Sequence, residues 1–178
     1  MTSGVMVVDK PAGRTSHQTV TEVRRALGVS RAGHTGTLDP LATGVLPVCL
    51  NEATKLVQFL SADWKEYRAT LLLGVETDTL DTEGRVTARV EPHVGEADIA
   101  EVLGGFVGRV VQTPPLISAV KVRGRPLYAW TRKGVAVEPE PRTVEIASLE
   151  IERFDLPHVT FKVRCSKGTY VRSLCADA

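Results

Sequence analysis

With 178 residues, 43% hydrophobic and 24% charged, the chain suits one domain of ordinary size, long enough to bury a core. No apolar run approaches the ~20 residues of a membrane-spanning helix, and residues 1–10 lack the basic start and apolar stretch of a secretory signal, so a cytoplasmic protein with no membrane partner is expected. The net charge of +1 hides segregation: residues 76–101 carry eight acids against two bases, residues 105–142 seven bases against two acids, and residues 158–172 four bases and no acid, a pattern that lets one face meet a polyanion.

Gly4 to Lys10 reads as a short buried strand stopped by Pro11, with Lys10 at its end. Thr15 to Leu27 predicts a helix, because Val20, Val23 and Leu27 recur at i, i+3 and i+7, Thr15 and Gln18 can form a capping box, and Gly28 follows as a stop. Residues 33–48 are a shaped loop. Gly33, Gly36 and Gly44 permit close backbone approach, and Pro40 pushes Asp39 toward an extended conformation. The stretch contains one carboxylate, Asp39, which either hydrogen-bonds its own turn, as turn aspartates do, or is an acid held still for chemistry.

Val45 to Leu50 predicts a strand, Ala53 to Leu60 a short helix with Leu56, Val57 and Leu60 on one side, and Lys65 to Gly74 a strand ended by glycine. Tyr67, Ala69, Leu71 and Leu73 share one face of that strand, where a tyrosine most simply packs. Asp78 to Gly84 is a polar turn without EF-hand spacing or a distal glutamate, so no metal is assigned there. Glu96 to Leu103 predicts a helix closed by Gly104 and Gly105. Residues 112–142 combine few strand signals with many bases and a short helix, Leu127 to Lys133, before Gly134; such segments are often binding loops.

Val144 to Phe154 and His158 to Ser166 read as strands, the second alternating Val159, Phe161, Val163 and Cys165 with Thr160, Lys162 and Arg164. If the chain stays extended beyond it, Tyr170 and Arg172 point the same way before a helix begins at Ser173. The three cysteines, Cys49, Cys165 and Cys175, have neither CxxC nor zinc-ligand spacing, and no chemistry is assigned to them. Strands and helices without regular βαβ alternation predict an α+β fold with a mixed, mostly antiparallel central sheet flanked by helices.

Gly33-His34-Thr35-Gly36-Thr37-Leu38-Asp39-Pro40-Leu41-Ala42-Thr43-Gly44 closely resembles the catalytic motif of the TruB family of tRNA pseudouridine synthases. Four other stretches are similar to motifs of that family: Lys10-Pro11, Lys65-Glu66-Tyr67-Arg68, Asp78 to Gly84 and Cys165 to Arg172. The resemblance implies an isomerase converting uridine 55 in the T-loop of tRNA to pseudouridine by base flipping, without metal or cofactor. It implies Asp39 as the nucleophile or cation stabiliser, Arg172 as its charged partner, Tyr67 as the ring that stacks on the target base and takes its C5 proton, and Tyr170 as pocket lining.

His34 then fills the space the base leaves, and Lys10 belongs to the substrate-binding set. Residues from Pro115 to Tyr128, with Lys121 and Arg125, look like the insertion at about 112–142 that grips the T-arm. Tyr128 and Trp130 either stack on RNA or bury, with burial the expectation for Trp130. The resemblance covers nearly all of the chain and implies a catalytic domain cut short, without the family's C-terminal PUA-type domain, acting as a monomer. A non-catalytic RNA-binding or tRNA-folding module on the same groove is the alternative.

Overall fold

A computed structural model of the chain describes residues 2–61 and 63–178. Where the sequence suggests one domain, these residues fall into two compact units, Met1–Asp63 and Trp64–Ala178.

The first unit holds β1 (Gly4–Lys10), α1 (Ser16–Ala26), β2 (Ala32–His34), β3 (Gly44–Leu50), a 3-10 turn (Asn51–Leu56) and α2 (Val57–Leu60). Its sheet has the order β1-β3-β2 with antiparallel ladders. The capping box forms as the sequence predicts: Gln18 N–H donates to Thr15 Oγ1 at 3.1 Å and Thr15 N–H to Gln18 Oε1 at 2.8 Å. Val20 from α1 packs on Leu46, Val48 and Leu50 of β3, with Val8, Val23, Val29 and Ala32 at the margin. Two expectations change. β1 is an edge strand of this sheet, and its Val5 and Val7 are exposed. The segment 53–60 splits into the 3-10 turn and one turn of α2, leaving Leu56, Phe59 and Leu60 exposed.

The second unit comprises β4 (Trp64–Leu72), β5 (Val75–Thr77), β6 (Val86–Arg89), α3 (Glu96–Gly104), β7 (Gly108–Gln112), β8 (Lys121–Val122), β9 (Arg125–Pro126), α4 (Leu127–Thr131), β10 (Arg142–Asp155), β11 (His158–Ser166) and α5 (Val171–Asp177). Its sheet runs β4-β11-β10-β7, and β5-β6 and β8-β9 are two-stranded ribbons. Every ladder between described strands is antiparallel, so the fold is α+β with antiparallel sheets flanked by helices.

The two-residue period of β11 decides this unit's core. Val159, Phe161, Val163 and Cys165 are wholly buried, and opposite them across the ladder to β4 stand Leu71, Ala69 and Tyr67. Burial of each large apolar side chain contributes about 1.5–3 kcal/mol. Ile99 and Leu103 of α3 and Leu174 of α5 close over this face, at the positions that helical spacing brings together. The reverse face is wet: Thr70 and Thr160 hydroxyls meet at 3.1 Å, Lys162 pairs with Glu66 at 3.1 Å, and Arg164 lies 5.7 Å over the Trp64 ring. Such exposed ion pairs contribute little, about 0–1 kcal/mol each.

Two of the three cysteines sit in the apolar interior. Cys49 and Cys165 are buried, and burial raises their thiol pKa. Burial pushes Cys175 up to about 11. The reactive thiolate is therefore scarce at neutral pH, since each pKa unit reduces it tenfold. Alkylation by a maleimide at pH 7 should be at least about 10-fold slower in the native protein than after denaturation; equal rates would contradict this environment.

Candidate active site

The Asp39 loop is held on both flanks by residues 10–16. Before it, the buried Ser16 hydroxyl donates to Leu38 C=O at 3.1 Å and accepts from Leu38 N–H at 2.9 Å. After it, Pro40 C=O accepts from Gly13 N–H at 2.9 Å and from Lys10 Nζ at 3.1 Å. Gly13 makes that approach with φ +76°, a left-handed conformation in which a side chain is strained. A further turn bond runs from Ala42 N–H to Asp39 C=O at 3.1 Å. The backbone of the acid is thus fixed from two sides.

Lys10 makes its contact with the loop from inside the protein. Its side chain is wholly buried, and the ammonium also donates to Pro11 C=O at 2.8 Å and Arg14 C=O at 2.6 Å. Three carbonyls satisfy the ammonium's donors and offset the desolvation of the charge. Lys10 thereby ties the end of β1 to the turn before α1 and to the Asp39 loop. His34 lies half-buried on β2, opposite Val48.

In the second unit the helix begins earlier than the sequence suggests. α5 starts at Val171, so Tyr170 is its extended N-cap residue and Arg172 already lies in its first turn. The two do not share an i, i+2 face. Arg172 Nη1 donates to Thr79 C=O at 2.7 Å, Nη2 donates to Ile117 C=O at 2.9 Å, and Nη1 lies 3.5 Å from Asp81 Oδ2. Both members of this ion pair are about nine-tenths buried, at 10% and 11% side-chain exposure. A planar guanidinium suits such a site because its donors diverge in fixed directions.

Asp81 is itself held. Its Oδ1 accepts from Thr79 Oγ1 at 2.6 Å and from Glu83 N–H at 3.1 Å, while Thr77 Oγ1 receives its N–H at 3.1 Å. Gly84 is required where the turn closes: a Cβ there would stand 2.2 Å from Thr79 Oγ1. The polar turn is therefore a mount for Arg172. The sequence marked the turn but gave Asp81 no role, since nothing local shows which cation comes back to it from 91 residues later.

Tyr67 stands half-buried on β4 opposite Val163, and borders the same apolar cluster as Val171 and Cys175 of α5. Lys121 and Arg125 are exposed on the β8-β9 ribbon. Arg125 lies 5.5 Å over the Trp130 ring, whose Nε1 donates to Val122 C=O at 3.0 Å. Trp130 thus braces the ribbon and is partly buried, while Tyr128 is exposed with Arg132 stacked on it at 5.5 Å. Among the described residues no group of His, Cys, Asp and Glu is placed to hold a metal ion, and no helix is long and apolar enough to cross a membrane.

The profile of the TruB family pseudouridylate synthase N-terminal domain matches residues 24–171. The chain belongs to the TruB family. It is 63% identical over 174 residues to tRNA pseudouridine synthase B of Syntrophus aciditrophicus (strain SB), covering 98% of this chain and 56% of that protein. The corresponding protein of Geobacter sulfurreducens is 49% identical over 175 residues, with 98% and 58% covered. The chain thus spans a little over half the length of these curated TruB relatives.

Among solved structures it is similar to a crystal structure of a Cbf5-Nop10-Gar1 complex, with 35% identity, a TM-score of 0.73, and 97% of this chain and 42% of that chain covered. It is also similar to an H/ACA RNP bound to a substrate RNA containing 2'-deoxyuridine, with 32% identity, a TM-score of 0.68, and 97% and 40% covered. The Asp39 loop, the polar turn at 77–84 and the β8-β9 ribbon lie within the matched residues 24–171, and Ser16 and Arg172 fall outside them.

Proposed function

We propose that this chain is the catalytic part of a tRNA pseudouridine synthase that isomerises uridine 55 of the T-loop. The observation that carries the reading is the Asp39 loop. Leu38 and Pro40, its two neighbours, are clamped by Ser16, Gly13 and the buried Lys10, an investment in one acid that an ordinary surface turn does not need.

The target base is first extruded from the loop, at about a few kcal/mol. Stacking on Tyr67, about 1–3 kcal/mol, offsets much of that cost. The N1–C1′ bond then breaks with its electron pair passing to uracil N1, and the Asp39 carboxylate either attacks C1′ or stabilises the positive charge developing there. The uracil turns and C5 bonds to C1′, any Asp39–C1′ ester breaking as its electron pair returns to the carboxylate; the C5 proton leaves through Tyr67, and a proton is restored on N1. Bonds and electrons balance, so the step consumes no oxidant or reductant. Arg172 supplies the counter-charge to Asp39, Tyr170 lines the pocket, and His34 takes the place of the extruded base. Lys121 and Arg125, exposed and charged, hold T-arm phosphates.

The test is tritium release from T-arm RNA labelled at C5 of uridine, using the natural full-length protein. Release with a pseudouridine at position 55 is expected; RNA binding with no release would favour a non-catalytic RNA-binding module. In the same assay Tyr67→Phe should keep RNA affinity within about twofold, because the ring that stacks is retained. Its rate should fall at least about 100-fold, the scale of a lost general base. Equal loss of affinity and rate would sink the proton-transfer role.

A further inference from the structure

The root of the basic insertion and the segment carrying Arg172 are joined along a seam in which Gln112 and Ser173 have no part in the proposed chemistry. At its centre is Gln112, the last residue of β7, only 3% exposed. Its side-chain Nε2 donates to Tyr170 C=O at 2.9 Å, and its Oε1 accepts from Tyr170 N–H at 2.7 Å. One residue on, Thr113 C=O accepts from the buried Ser173 hydroxyl at 3.0 Å. Farther along, Ile117 C=O accepts from Arg172 Nη2 at 2.9 Å. Residues 112–117 and 170–173 therefore form one hydrogen-bonded block.

α5 has no side-chain cap of its own at Tyr170. Gln112 supplies the missing anchor from a neighbouring strand: a primary amide carries a donor and an acceptor on one rigid plane, which matches the N–H and C=O of a single extended residue. Because Leu174 N–H also donates to Tyr170 C=O at 3.1 Å, the same carbonyl starts the helix and receives the amide. The direction of the first turn, and with it the reach of Arg172, is set where Gln112 holds it. The insertion that carries Lys121 and Arg125 leaves the sheet from this same residue.

We infer that Gln112 is a positioning residue: its buried amide brackets the Tyr170 backbone and couples the root of the RNA-gripping insertion to the helix turn that carries Arg172. The inference rests on the proposed isomerase reading. RNA held by Lys121 and Arg125 is thereby placed at a fixed distance from Arg172. Loosening the amide leaves the gripping charges in place but lets the bound RNA and the guanidinium drift apart, and misplacement by about 1 Å is enough to cost about 100-fold in rate.

The experiment measures single-turnover tritium release and RNA dissociation constants for the full-length protein and its Gln112→Met, Ser173→Ala and double variants. Gln112→Met keeps the shape and removes the amide; it should slow turnover about 10- to 100-fold with the RNA dissociation constant within about twofold. Ser173→Ala should slow it about 3- to 10-fold. The double variant should be slower than the wild type by less than the product of the two single effects, because both cut one seam. A wild-type rate in Gln112→Met, a loss confined to RNA affinity, or full multiplicativity overturns the inference. Should Gln112→Met fail to fold, Ser173→Ala decides: a wild-type rate overturns it, and a slower rate at unchanged affinity supports it. Absence of tritium release from the wild-type protein would instead overturn the isomerase reading.

Discussion

Asp39→Asn should reduce pseudouridine formation by at least about four orders of magnitude, the scale on which deletion of a catalytic group acts. RNA affinity should stay within about twofold. The asymmetry follows from the local structure. The hydrogen bonds that shape the loop come from the backbones of Leu38, Asp39 and Pro40, received or donated by Ser16, Gly13, Lys10 and Ala42, so an asparagine inherits the same bracing. What it lacks is the negative oxygen to which the proposed chemistry gives the attack on C1′ or its stabilisation. Quench-flow measurement of pseudouridine beside filter binding separates the two quantities. Turnover within tenfold of wild type would remove Asp39 from the chemistry, and a parallel loss of affinity would mean that the carboxylate serves recognition.

Lys10→Met should have the largest effect on stability. The substitution removes a buried ammonium that satisfies Pro11, Arg14 and Pro40 carbonyls and replaces it with a side chain that can donate to none of them. Each buried acceptor left unpaired costs about 1–3 kcal/mol, and relaxation recovers part of it, so a loss of about 3 kcal/mol or more is expected. Because one of the three carbonyls belongs to the residue after Asp39, activity should fall under conditions where the variant is still folded. Urea unfolding followed by circular dichroism gives the first quantity, and tritium release well below the unfolding midpoint gives the second. A variant with unchanged midpoint and unchanged turnover would show that the ammonium does nothing the backbone needs.

Local signals in the sequence were enough for the elements whose cause is local. The Thr15 and Gln18 capping box, the glycine after α1, the alternation of β11 and the glycine pair that ends α3 each carry their own explanation, and each appears in the structure. The Asp39 loop was legible for the same reason: its glycines and prolines lie beside the acid. The missed features depend on partners distant in sequence. Lys10 reads as a strand-end base until the Pro40 carbonyl, 30 residues away, is seen to lie on its ammonium. Ser16 reads as a helix start until it is found bracketing Leu38. Gln112 and Asp81 have no neighbours that reveal their tasks. β1 reads as buried because residues 5–8 are all apolar, but periodicity does not say how many faces of a sheet are covered.

The mount of Arg172 also sets the order in which the second unit can mature. Its contacts span 93 residues to Thr79 and 55 to Ile117, while the Gln112 amide waits 58 residues for Tyr170. Loop closure over such separations is slow compared with hairpin formation. During synthesis the turn at 77–84 and the insertion root leave the ribosome long before their shared arginine exists. Consolidation of this polar centre is therefore a late event, after the β10-β11 hairpin has formed, and the Arg172 mount is the last part of the second unit to acquire its native rigidity.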